Sequence, residues 1–354
     1  MSTSVAVATM RAAILHGKGD VRVESIPVPD IGPGELLVRV RTALTCGTDV
    51  KVFRRGYHAK MLQPPVLFGH ELAGDVVEVG DGVTSFKPGN RVVAANSAPC
   101  DQCFFCRRGQ PNLCEDLLFN NGAYAEYIRI PARIVRNNTH HIPASLNYSA
   151  AALTEPLACA LRGLEECSVR PGDTVAVMGL GPLGLMLVRL AREAMGARVI
   201  AMARRVEQLD RAMLLGAHSG VLMGENTSSL IEEIKSETDG RGADVVIEAI
   251  GQPHTWELAT RLVRKGGIVN FFGGCPAGSS VKLDTTLLHY SEITCKASFH
   301  HTPGYIRRAL NFIIDGVVTS DHLVNHEEPL EQLPRVLHDL ASHRNGHVKT
   351  AIIP

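Results

Sequence analysis

The sequence carries no surplus of charge of either sign. Lys plus Arg and Asp plus Glu each number 36 in 354 residues, which leaves no basic excess to gather phosphate backbones or an acidic membrane surface. Nucleic acid is not an expected partner. Long hydrophobic runs are absent as well. No stretch reaches membrane-spanning length without charges, and Met1 to Arg11 hold neither a charged leader nor an extended apolar segment, so the expectation is a cytoplasmic chain with no membrane partner. A disulfide framework is also missing. Nine cysteines is an odd number, and four of them fall between Cys100 and Cys114, which suits metal thiolates in a reducing compartment. Neither internal repeats nor low-complexity segments occur. What remains is the balance of a soluble globular protein, 45% apolar and 20% charged, in a chain too long for one ordinary core. Two domains are expected.

The two halves differ in rhythm. From Met10 to about Ile130, short β-rich runs (21–23, 36–40, 75–79, 91–94 and 125–128) are separated by turn dipeptides such as Pro33-Gly34 and Pro88-Gly89, which predicts a small β-barrel-like domain. Thr154 or Glu155 can then cap, and Pro156 open, a helix running to about Glu166. Beyond it strands and helices alternate. Strands at 174–178, 198–202, 244–248, 267–272 and 293–297 are interleaved with helices at 183–195, 206–215 and 254–263, the pattern of an α/β doubly wound parallel sheet. The stretch from about Phe299, with a helix at 306–314, follows the last such strand and is expected to return to the first domain. This places the first domain at 1–155 with 299–354, and the second at 156–298.

Two clusters have the residue types of metal sites. Cys100-x2-Cys103-x2-Cys106-x7-Cys114 supplies four thiolates in one polar loop, the number a closed tetrahedral structural zinc site requires. An iron–sulfur pattern would continue with x3 and Cys-Pro, whereas seven residues intervene here and Glu115 follows. The second cluster is dispersed: Cys46 with Thr48 and Asp49 after it, and Gly69-His70-Glu71. Each alone is weak, because a lone Cys is usually a buried hydrophobe. Together they offer the mixed ligands of a catalytic zinc, which needs three protein ligands and an open position. Glu155 and Cys159, four residues apart near the domain junction, are both candidates for the third, and spacing alone does not separate them.

A glycine fingerprint, Gly179-Leu180-Gly181-Pro182-Leu183-Gly184, follows the apolar strand and opens a helix. In that context it reads as a dinucleotide-binding turn whose helix N-terminus faces the pyrophosphate. About twenty residues on, where NAD-binding chains offer an acid to the ribose 2′-hydroxyl, this chain has Ala203 followed by Arg204 and Arg205. A missing acid and two cations favour a 2′-phosphate, so NADP(H) is expected in preference to NAD(H).

With these residues, the chain resembles the zinc-dependent medium-chain dehydrogenase/reductase superfamily, near its sorbitol (polyol) and threonine dehydrogenase branch. The resemblance spans essentially the whole chain and includes Gly-His-Glu-x2-Gly-x5-Gly-x2-Val from Gly69 to Val83. It implies a GroES-like β-barrel catalytic domain, a Rossmann cofactor domain, one catalytic and one structural zinc per chain, and reversible oxidation of an alcohol, polyol or sugar hydroxyl. It implies a homotetramer or homodimer as well. Cys46, His70 and Glu155 match its catalytic-zinc ligand positions, Glu71 the adjacent carboxylate, and Thr48 the hydroxyl that takes the alcohol proton. Glu155 is favoured over Cys159 because Glu155-Pro156-Leu157 matches the polyol dehydrogenase segment. Lys51 stands where the family often has a His that finishes the proton relay. Competing readings are an NAD-dependent threonine or sorbitol-type enzyme, a zinc-free quinone reductase and a non-catalytic NADPH-binding protein. Intact Cys46, His70 and Glu155 argue against the last, and quinone reductases of the superfamily generally lack both metal clusters.

Overall fold

The computed structural model describes residues 8–58, 61–342 and 346–354. Of these, 8–58, 61–156, 302–314, 319–342 and 346–354 form one compact unit, and 157–301 with 315–318 the other.

The first unit is built on antiparallel strands whose alternation follows from their apolar spacing. Leu36–Leu44 buries nearly every side chain except Arg39 and Arg41, because it lies inside a seven-stranded sheet, paired with Leu72–Val79, Tyr127–Ile130 and the C-terminal strand Lys349–Ile353. The C-terminus thus returns to this unit through Ala351 opposite Leu44 and Ile352 opposite Ala43. Leu36, Val38, Phe68, Val76, Ile130, Leu333 and Ile352 share one apolar core. This pairing brings Lys349 beside the segment that precedes Cys46. Register shifts between Val40 and Thr42 mark irregular pairing where the strand approaches that segment.

The second unit is a six-stranded parallel sheet in the spatial order Ser219–Leu222, Arg198–Ala203, Thr174–Met178, Ala243–Glu248, Val263–Phe271, Thr294–Lys296. In chain order that is 3-2-1-4-5-6, the Rossmann arrangement, with its switch point between Thr174–Met178 and Ala243–Glu248. Val175, Ala176, Val177 and Met178 are fully buried, as expected for a central strand covered by helices on both faces. The strand Ser219–Leu222 and the helix Thr227–Ser236 were not anticipated; Gly220 and Asn226-Thr227-Ser228-Ser229 are turn-forming residue types, and the pairing with residues 200–203 and the Asn226 cap supply the order. Among the described residues no helix is long and apolar enough to cross a membrane.

Candidate active site

In the cysteine loop, the sulfurs of Cys100, Cys103, Cys106 and Cys114 all lie within 4.8 Å of one another. Tetrahedral zinc thiolates at about 2.3 Å from the metal have sulfurs roughly 3.8 Å apart, and the Cys103 and Cys106 sulfurs are 3.5 Å apart. The loop backbone already points donors at the sulfurs, with the Cys100 N–H donating to Cys114 Sγ at 3.2 Å and the Cys103 N–H to Cys100 Sγ at 3.3 Å. Backbone N–H groups of Cys106 and Glu115 draw the Cys103 thiol down to about 6, whereas burial and the shared contact with Cys103 push Cys106 up to about 12. Four sulfurs in one loop are the donor set of a closed tetrahedral site and fit zinc, which would replace the thiol protons on binding.

The second cluster is buried. Ligand atoms of Cys46, His70 and Glu71 lie within 4.8 Å of one another. Cys46 caps the helix Gly47–Arg55, its Sγ accepting from the Thr48 N–H at 3.4 Å while Asp49 Oδ2 accepts from the Cys46 N–H at 3.2 Å. That reciprocal cap turns Asp49 inward. Its Oδ1 lies 2.9 Å from His70 Nδ1, which fixes the ring and leaves Nε2 for a metal, the usual carboxylate–histidine pairing of metal sites. Burial disfavours the imidazolium, but Asp49 and, after it, Cys46 together more than offset it and hold His70 well above its ordinary value. Glu71 is fully buried, with Oε2 accepting from Lys349 Nζ at 2.5 Å and Oε1 without a hydrogen-bond partner. An orphaned carboxylate oxygen beside a thiol and an oriented imidazole fits a cation such as zinc.

Glu155 is not within 4.8 Å of all three. It sits in the first turn of the helix Thr154–Glu165, which starts two residues before Pro156, just after the helix Tyr148–Ala152, with the Thr154 hydroxyl donating to Ala151 O at 2.7 Å. Burial pushes the Glu155 carboxyl up to about 7; His70 opposes the rise and Glu71 adds to it. Thr48 is half-buried in the first turn of its helix, and Lys51 is exposed one turn further on.

In the second unit the glycine turn has separable steric reasons. A side chain on Gly179, at φ +92°, would come within 2.5 Å of Ile250, and one on Gly184 within 1.9 Å of the Gly179 carbonyl oxygen. Nothing lies within 4 Å of where a Gly181 side chain would be, so that position faces open space. Gly181 caps the helix Pro182–Glu193 without a side-chain bond, leaving first-turn N–H groups for an anion. Leu180 is buried, and its carbonyl accepts from Gln208 Nε2 at 3.2 Å; Leu183 is half-buried. Ala203 ends its strand, Arg205 caps the next helix, and both arginines are exposed. Arg204 lines a cavity of about 880 Å³ with Met223, Ile250, Gln252, His254 and Thr255. A cavity of that volume is within the range of small-molecule sites.

Residues 32–143 match the alcohol dehydrogenase GroES-like domain, and residues 182–315 the zinc-binding dehydrogenase domain. A sorbitol dehydrogenase of Bacillus subtilis is 31% identical over 98% of this chain and 97% of its own. The chain belongs to the zinc-binding medium-chain dehydrogenases, in the polyol and threonine dehydrogenase branch. An erythritol/L-threitol dehydrogenase of Mycolicibacterium smegmatis is 32% identical to this medium-chain dehydrogenase, covering 98% of each chain. The NADP complex of a protein described as a zinc-binding dehydrogenase from Sinorhizobium meliloti superposes with a TM-score of 0.88, at 32% identity over 98% of this chain and 100% of that one.

Two residues of the buried cluster escaped sequence reasoning, and a third, Asp49, was named beside Cys46 without a role. Asp49 had a local signal, since it stands at the third position after a capping Cys46. Tyr124 and Lys349 had none, because the contacts that bring them to Asp49 and Glu71 span 75 and 278 residues.

Proposed function

We propose that this protein is a zinc-dependent, NADP(H)-preferring dehydrogenase of alcohols, polyols or sugars, with its catalytic domain at 1–155 and 299–354 and its cofactor domain at 156–298. The observation that carries the reading is the buried Cys46, His70 and Glu71 cluster with the imidazole already oriented by Asp49. The cofactor half rests on the glycine turn, the uncapped helix and Arg204 in the adjoining cavity. Relatives that act on sorbitol and on four-carbon polyols point to a substrate rich in hydroxyls. The protein is cytoplasmic and a homotetramer or homodimer in this reading.

Cys46 and His70, with Glu155 directly or through a water, would hold zinc, with Glu71 a nearby carboxylate available when ligands exchange. When bound, zinc would supply Lewis acidity at the substrate oxygen and a nicotinamide cofactor would supply the hydride chemistry. Thr48 would accept the hydroxyl proton while handing its own onward toward the cofactor ribose and solvent, and Lys51 lies exposed on the same helix face. Burial of the cluster excludes bulk water from the reacting oxygen and strengthens every polar contact there. Gly179, Gly181 and Gly184 let the backbone and the Pro182 helix terminus meet the pyrophosphate, and Arg204 and Arg205 bind the 2′-phosphate.

The test is kcat/KM for both cofactors across polyols, sugars, amino alcohols and aliphatic alcohols. Oxidation of a polyol or sugar with NADP+ favoured by one to three decades is expected. An NAD+ advantage would overturn the cofactor assignment, and no turnover on any member would favour a non-catalytic NADPH-binding role.

A further inference from the structure

We infer that Tyr124 is a positioning residue for the buried metal cluster: its hydroxyl braces Asp49, which in turn holds the His70 ring in the orientation a metal requires. The inference rests on the reading of Cys46 and His70 as metal ligands. Tyr124 is fully buried, and its hydroxyl donates to Asp49 Oδ2 at 2.6 Å, with Leu44 O 3.1 Å away. Asp49 Oδ1 meets His70 Nδ1 at 2.9 Å. The remaining bond to Asp49 Oδ2, from the Cys46 N–H, is longer at 3.2 Å, so the phenol is the carboxylate's closest neutral donor. Without it Asp49 Oδ2 keeps only the longer bond from the Cys46 N–H, and the carboxylate holds the imidazole less firmly.

The ring is pinned as firmly as the hydroxyl. The Tyr124 N–H donates to Phe68 O at 3.0 Å and the Ala13 N–H to Tyr124 O at 2.8 Å, and the ring meets Phe68 edge-on with centroids 5.9 Å apart. Gly69, immediately before His70, has φ +89°, and a side chain there would come within 2.5 Å of the Tyr124 ring. The ring therefore occupies the space beside the ligand's own backbone while the hydroxyl reaches the ligand's carboxylate partner. One side chain ties together the strand end before Cys46, the helix bearing Asp49 and the turn bearing His70.

Tyr124→Phe removes only the hydroxyl and keeps every ring contact. The control is Tyr148→Phe, which removes a comparable bond, Tyr148 Oη to Asp75 Oδ1 at 2.5 Å, outside the cluster. In zinc-loaded protein, release to a chelating dye is followed alongside the visible spectrum of the cobalt-substituted form. Partners of metal-ligating residues are usually worth 10–100-fold in metal affinity, so Tyr124→Phe is expected to weaken one of the two zinc ions about tenfold and broaden the cobalt spectrum. Tyr148→Phe should leave both readouts at wild type. Release and spectrum indistinguishable from wild type in Tyr124→Phe overturn the inference. His70→Ala keeps the underlying reading separate: if it lowers neither zinc content nor cobalt uptake, the metal assignment itself fails. Should Tyr124→Phe not fold, Asp49→Asn tests the brace from its other end. Faster zinc release supports it, and unchanged release overturns it.

Discussion

Replacing Lys349 with Met should destabilise the first unit far more than an ordinary Lys substitution. Lys349 is 1% exposed and Glu71 is fully buried, 2.5 Å from it, and Lys349 also donates to Thr45 O at 2.9 Å. Burial pushes the Glu71 carboxyl up against the pull of the ammonium, and Glu71 holds Lys349 above its ordinary value against burial. Lys349→Met leaves Glu71 with both oxygens unpaired, since Oε1 has no partner to begin with. Breaking one side of a buried pair costs about 3–5 kcal/mol, whereas replacing both charges is often near neutral. For a unit of roughly 200 residues each kcal/mol is about 2–4 °C, so the melting temperature should fall by about 6–20 °C. Adding Glu71→Gln should recover at least half of that loss. Calorimetry on zinc-loaded protein reads both. A fall below about 2 °C for Lys349→Met, or a double variant less stable than Lys349→Met, would refute the argument that the cost is an uncompensated buried charge.

Glu155→Ala should cost the catalytic zinc or most of kcat while Cys159→Ala leaves both nearly intact, as metal analysis and steady-state rates will show; the opposite pattern makes this a two-Cys, one-His site. Replacing Arg204 and Arg205 together with Ala203→Asp should move the kcat/KM ratio toward NAD by one to three decades, since each charge-assisted bond is worth roughly 1.5–3 kcal/mol before screening. His140 has a buried, unpartnered Nε2, and burial, with Arg307 nearby, lowers it to about 4. The fold thus prefers the neutral ring, and its contribution is complete above the ordinary His range near 6.5 and is lost as pH falls toward 4. Unfolding free energies from denaturant titrations should drop between pH 7 and 4 by about 1–3 kcal/mol more for wild type than for His140→Asn, after allowing for partial exposure. Equal slopes for the two would show that His140 does not carry this dependence.

What could be read from the residues was whatever is local. The four cysteines fall in one loop, the glycine turn lies between one strand and one helix, and the sorting of β-rich and alternating halves follows from periodicity alone. Cys46 and His70 were legible as residue types, but their proximity depends on the pairing of Leu36–Leu44 with Leu72–Val79. Lys349 was invisible for the same reason at longer range, because the strand that delivers it pairs across more than 300 residues. Glu71 shows the limit most clearly. Its place beside His70 suggested a ligand, and its other partner, a buried ammonium, is supplied by tertiary structure only.

The most direct test of a zinc-dependent dehydrogenase built on Cys46 and His70 is NADPH formation with the best polyol or sugar, measured before zinc removal, after it, and after zinc is returned. Freshly purified protein should hold two zinc ions per chain, lose turnover as the ion at Cys46 and His70 is stripped, and regain it on readdition, with Cys46→Ala folded, holding one zinc and inactive. Full turnover after that ion has gone, or fully active protein with a single metal per chain, would contradict it.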